Sequence, residues 1–150
     1  MRRDKPQREE KVMHLIELYP CFPEGSTVKE QLVKVKEEYE EVLTAYSFEN
    51  KLSELLDLAQ TVVGYLKLKK GIDEYDRAIF YDPRANVEVL KELKEEENYE
   101  MLAWTSLNLF YTSIVNYTVE NNLDTEKMVE KYMKKHYNKL EDRKKKWKSA

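Results

Sequence analysis

The sequence predicts an all-α protein, an antiparallel helical bundle, and three observations carry that prediction. Apolar residues recur at three-and-four spacing along almost the whole chain. No stretch alternates apolar and polar residues convincingly with period two. Three glycines and four prolines are too few for the turns of a many-stranded sandwich or barrel.

The first helix is expected over residues 7 to 19, where Val12, Leu15, Ile16 and Tyr19 share a face and Pro20 with Pro23 closes the segment. A second begins at Ser26 or Thr27, because Thr27 and Glu30 have the spacing of a capping box, in which each side chain bonds the other's backbone amide. Its buried stripe is Val28, Leu32, Val35, Tyr39, Val42 and Tyr46. The third helix, Asn50 to Lys70, is apolar round much of its girth and so belongs at the centre, with Gly71 placed to stop it in a left-handed conformation. A short helix is expected over 73 to 82, ahead of Pro83, and a polar one over Ala85 to Glu97. Met101 to Glu120 reads as a long aromatic-rich helix closed by Asn121 and Asn122, and Asp124 caps a last helix through Trp147.

A chain of 150 residues fits one domain, 1–150, with a core that needs neither disulfide nor structural metal. Cys21 is the one cysteine, so no intrachain disulfide forms, and charged residues from Arg2 to Lys11 stand where a signal peptide would be apolar. Both point to a reducing cytoplasm. No apolar run approaches the 18 or so residues of a membrane span. No glycine cluster is available to cradle phosphates, which excludes Rossmann and P-loop sites. The net charge of −3 hides an asymmetry: residues 131–150 hold nine Lys or Arg against Glu141 and Asp142, giving +7 there and −10 over the rest. An acidic body gathers cations while the basic segment meets an anion, and the acidic body disfavours a nucleic-acid partner.

The carboxylates point to chemistry. Glu38 with Glu41 on the second helix, and Glu54 with Asp57 on the third, are i,i+3 pairs, so each pair projects from one face. Glu38 lies about 40° from Val42 around the helix, at the border of the buried stripe, whereas Glu40 points away. Glu54 and Asp57 sit among leucines, where an uncompensated charge is costly, so a cation should accompany them. The short link between the two helices makes them antiparallel neighbours, and four facing carboxylates suit one or two hard divalent ions. No Glu-x-x-His pair is present, and an all-oxygen set favours Mg²⁺ or Mn²⁺ over iron or zinc. Four such acids repel one another without metal, so Asp57→Asn is expected to leave the metal-free protein at least as stable. The bland alternative is that each glutamate is an ordinary solvated acid.

The pattern Glu-Glu-x-x-Glu, twelve intervening residues, then Glu-x-x-Asp resembles the signature of the MazG-like all-α nucleoside triphosphate pyrophosphohydrolases, here on Glu37, Glu38, Glu41, Glu54 and Asp57. The run from Leu55 to Val63 is similar to that family's metal-binding helix, and His136-x-x-Lys139-Leu140-x-x-Arg143 is similar to its closing segment. The resemblance covers residues 27 to 70 and 106 to 143. It leaves 73–105 as an expected insertion or lid and 144–150 as a basic end. It implies a MazG-type helical bundle that hydrolyses a ribo- or deoxyribonucleoside triphosphate to monophosphate and pyrophosphate, in housecleaning or control of the nucleotide pool. Mg²⁺, or Mn²⁺, would bind Glu38, Glu41, Glu54 and Asp57, with Glu37 and Glu38 catalytic, Glu37 as outer ligand or general base. Lys139 and Arg143, i and i+4 on one face, would neutralise the substrate's phosphates. The resemblance also implies a homo-oligomer.

Other residues read less specifically. Trp104, Phe110, Tyr111, Tyr117 and Tyr65 have the spacing of core aromatics, although any could stack on a base. Trp147 is either an exposed anchor or an oligomer contact. His14 and His136 find no metal-ligand partner in sequence. The rival function is a non-enzymatic helical adaptor whose acids merely solvate the bundle.

Overall fold

The helices begin and end where side chains replace missing backbone partners. In a computed structural model that describes residues 13–149, helix α1 (Val28–Thr44) opens on the expected capping box, Thr27 Oγ1 accepting from the Glu30 amide and Glu30 from the Thr27 amide. Helix α2 (Phe48–Lys70) starts at Ser47 and stops at Gly71, whose φ of 77° is the left-handed cap that glycine adopts without Cβ strain. Helices α3 (Val87–Glu95) and α4 (Tyr99–Glu120) are capped by Asn86 and Asn98. Asp124 Oδ1 accepts from the Lys127 amide, 3.1 Å away, at the start of helix α5 (Thr125–Ser149).

Helix α2 is the centre, as its apolar girth predicts. Leu52, Leu55, Leu56, Leu58, Val62 and Val63 are buried, packing in one core with Leu107, Phe110 and Ile114 of α4. Each such side chain contributes roughly 1.5–3 kcal/mol by leaving water. The neighbours of α2 all run antiparallel to it. Early Gln31 of α1 donates to the carbonyl of late Thr61, Phe48 stacks on Tyr117 while Tyr65 meets Tyr99, and Lys139 of α5 reaches Ser53 while His136 reaches Gln60. Three helices therefore flank one, and α1 and α5 approach the same side of α2.

The all-α expectation is corrected at two places. Strands β1 (Met13–Leu18) and β2 (Tyr75–Phe80), both expected to be helical, form a two-stranded antiparallel sheet with Leu18 opposite Tyr75 and Glu17 opposite Asp76. In β1 the period-two pattern is real but short: Ile16 and Leu18 are buried, whereas Leu15 is 62% exposed. An apolar residue on the solvent face, beside Ile16 and Tyr19, imitates a helical stripe. In β2 the fully buried residues Tyr75 and Ile79 are four apart, an interval that strand and helix share. Residues 7–12 of the expected first helix, Val12 among them, lie outside the described residues.

The segment expected as an insertion or lid, 73–105, consists of β2, α3 and the start of α4. It is packed into the body: Tyr75, Ile79, Ala85 and Leu90 are buried, and Lys94 Nζ lies 4.9 Å from the centre of the Tyr39 ring of α1. No helix among the described residues is long and apolar enough to cross a membrane.

Candidate functional site

The antiparallel pairing of α1 with α2 sets Glu38 and Glu41 against Glu54. Oxygens of these three carboxylates lie within 4.8 Å of one another, with Glu38 and Glu54 half-buried and Glu41 exposed. Burial, then the charge of Asp57, pushes the Glu38 carboxyl up to about 8; burial, then a hydrogen bond to Glu41, pushes Glu54 up to about 7. Glu41 moves the other way, held low by hydrogen bonds from Glu54 and Glu38. Without a cation, the cluster therefore relieves its repulsion by keeping protons on Glu38 and Glu54 and the charge on Glu41.

Asp57, one turn beyond Glu54, is treated differently. Lys139 Nζ lies 2.9 Å from its carboxylate and also donates to Ser53 Oγ at 3.2 Å. The cation expected beside this buried acid is thus a side chain of α5. Asp57→Asn therefore has two opposed effects on the metal-free protein: it relieves the repulsion that Asp57 exerts on Glu38 and Glu54, and it removes the charged partner of Lys139. Lys139, expected to meet phosphate, here spans Asp57 and Ser53.

His136 is the residue whose place the sequence conceals. It is 2% exposed, with Nε2 3.0 Å from Gln60 Oε1 and Nδ1 3.7 Å from Asp57 Oδ1. Gln60 Nε2 donates to the Tyr19 carbonyl at 2.7 Å, so the atom facing the imidazole is an oxygen, and the imidazole must donate from Nε2. Burial, with Lys139 and Arg143 nearby, pushes its pKa down to about 3, which leaves a neutral ring and a bare lone pair on Nδ1. The spacing His136, Lys139, Arg143 places all three along one face of α5. That face was visible in sequence, but its partner 76 residues away at Gln60 was not.

Buried polar atoms without a partner among the described residues include Glu38 Oε2, Glu54 Oε2 and His136 Nδ1. All three are acceptors in the protonation states that binding would require, and buried acceptors without donors are costly. A hard divalent ion fits the oxygens chemically, since it takes carboxylate oxygens and removes the need for shared protons.

A cleft of about 310 Å³ opens beside the cluster, lined by Glu37, Glu38 and Lys34 of α1, Asp57 and Thr61 of α2, and Arg143 of α5. Glu37 is exposed here and Glu40 faces solvent elsewhere on the helix. The structure therefore gathers Glu37, Glu38, Asp57 and Arg143 around one opening, while Glu41 and Glu54 meet Glu38 without lining it. Trp147, read from sequence as an anchor or oligomer contact, is half-buried and also lines this cleft. The other aromatics pack: Phe110 and Tyr111 are buried, Trp104 Nε1 donates to the Ala78 carbonyl, Tyr117 stacks on Phe48, and Tyr65 meets Tyr99 at a tilt of 56°. His14 bonds Glu126 at 3.0 Å.

No protein family, curated protein or solved structure matches the chain.

Proposed function

We propose that the protein is a divalent-cation-dependent nucleoside triphosphate pyrophosphohydrolase of the MazG-like all-α type, cleaving between the α and β phosphates to release a nucleoside monophosphate and pyrophosphate. The observation that carries this reading is the convergence of Glu38, Glu41 and Glu54, two of them with an unpartnered buried oxygen, beside a cleft that Glu38 shares with Asp57, Arg143 and Lys34. An acidic pocket repels a triphosphate, and a pocket with cations alone does not need buried acids. The combination suits a polyanion that enters together with a hard cation.

Glu38, Glu41, Glu54 and Asp57 would hold Mg²⁺ or Mn²⁺, which supplies charge neutralisation and Lewis acidity at the α-phosphate. Around it the chain's own groups divide the work. Glu37, exposed at the cleft wall, takes the proton of the attacking water as general base. Arg143 and Lys34 neutralise phosphate oxygens. Lys139 orients Asp57 through its 2.9 Å contact, and its ammonium is one-third exposed and able to meet a second anion. The bonds made and broken are P–O bonds: water oxygen joins the α-phosphorus and pyrophosphate leaves. Action on the nucleotide pool of a reducing cytoplasm, as a homo-oligomer, completes the reading, and exposed Leu15, Val33 and Tyr46 offer apolar surface for assembly.

The test is a panel of ribo- and deoxyribonucleoside triphosphates with Mg²⁺, products resolved by chromatography. Monophosphate and pyrophosphate in equal amounts support the reading. Diphosphate with orthophosphate, or no cation-dependent turnover of any member, overturns it, and the second result favours the adaptor.

A further inference from the structure

A second cleft, about 800 Å³, continues from the acidic one, for Cys21 and Trp147 line both. Its character is different. Where the first is lined by Glu37, Glu38, Asp57 and Arg143, the second adds the rings of Tyr19 and Phe22 to that of Trp147, with Lys67, Lys144 and Lys148 and the acids Glu24 and Asp73 around them.

One wall is held rigidly. Pro20 and Pro23 fix the backbone on either side of Phe22. Gln60 anchors the segment through the Tyr19 carbonyl at 2.7 Å. The Phe22 ring lies against Gly64 of α2, where a Cβ would come within 3.2 Å of its Cδ2. The opposite wall is Trp147, four residues beyond Arg143 and therefore on the same face of α5. A single helix thus presents a guanidinium to one cleft and an indole at the junction of the two.

This division matches a nucleotide, which is polyanionic at one end and a flat π-system at the other. We propose that the second cleft is the nucleoside subsite, with the base stacked on Trp147 while the phosphates lie over Arg143 and the carboxylates. The proposal rests on the pyrophosphohydrolase reading and deepens it by assigning the nucleoside half of the substrate to this cleft, a half that inorganic triphosphate lacks. The two volumes fall within the range of small-molecule sites, and a preorganised ring wall lowers the ordering cost of stacking. Stacking tolerates every base, because each has a π-face.

The protein has two tryptophans, Trp104 and Trp147, so Trp104→Phe leaves Trp147 as sole indole reporter. This variant is titrated, with Mg²⁺, with an α,β-methylene nucleoside triphosphate and separately with inorganic triphosphate, following fluorescence and heat. The nucleotide is expected to quench Trp147, and inorganic triphosphate to bind without quenching. In the otherwise native chain, Trp147→Ala should weaken nucleotide binding about tenfold and Trp147→Phe much less, while both bind inorganic triphosphate like the parent. Comparison with Trp147→Phe separates loss of stacking from loss of fold, which circular dichroism also checks. Nucleotide binding without quenching, or unchanged in Trp147→Ala, overturns the subsite and leaves the pyrophosphohydrolase reading standing. Failure of both ligands to bind with Mg²⁺ overturns the two together.

Discussion

Glu38, Glu41 and Glu54 form one carboxylate triad, and Glu17, Glu74 and Asp76 form another; in both, oxygens lie within 4.8 Å. By proximity alone the two are equivalent. Their settings differ. In the sheet, Glu17 stands directly opposite Asp76 with Glu17 and Glu74 open to water, so repulsion is screened and worth only a fraction of a kcal/mol or so. Between α1 and α2, the same closeness is combined with burial, and two of the three acids are pushed to about 8 and about 7. Asp76 Oδ1 is also buried without a partner, so what sets the helix triad apart is that burial reaches two of its acids and raises both carboxyls.

The largest contrast should appear in turnover. With saturating Mg²⁺, Glu54→Gln is expected to lower turnover by at least about a hundredfold, the scale of losing a major electrostatic contact to the transition state. Glu17→Gln and Glu40→Gln should leave it within about twofold of the parent. Equal losses at Glu54 and Glu17 would erase the distinction between the triads.

The packing that sets the buried triad gives the next effect. Gly64→Ala places a Cβ 2.7 Å from Gln31 Nε2, which is committed to the Thr61 carbonyl, and 3.2 Å from Phe22. It should cost about 1–3 kcal/mol in urea unfolding. Gly71→Ala has open space and only its φ of 77° to strain, so about 1 kcal/mol is expected. His136→Leu, which leaves Gln60 Oε1 unpaired in the interior, should also cost about 1–3 kcal/mol.

These positions also mark what the sequence could tell. The capping box at Thr27 and Glu30, Gly71, and the carboxylate spacing are local signals, and each sits where it was read. The strands were hidden because six residues of a two-stranded sheet show too little alternation, and Leu15 faces water. Glu38 at the edge of the buried stripe was legible from helical geometry. The partnership of Asp57 with Lys139 was not, because it joins residues 82 apart through the packing of α5, and no periodicity reports that. Trp147 likewise looks like part of a solvated basic end until α5 is laid against the Pro20 to Pro23 segment.

A smaller effect lies in pH. Folded Glu38 and Glu54 hold protons to about 8 and about 7, whereas an unfolded glutamate releases its proton near 4.5. Their contribution to metal-free stability is therefore full below that value and lost as pH rises through 7 and 8. The melting temperature of the chelator-treated protein should fall by a few degrees between pH 6 and pH 8.5. Glu38→Gln should flatten that slope, and Mg²⁺ should offset it.

The central claim, that the buried triad and not the exposed one holds the ion, is tested most directly by titrating Mn²⁺ and counting bound ions by electron paramagnetic resonance in the parent, Glu54→Gln and Glu17→Gln. The account predicts binding in the parent that survives Glu17→Gln and weakens by at least about tenfold in Glu54→Gln. Binding that survives Glu54→Gln but is lost in Glu17→Gln, or no binding in the parent at all, would contradict it.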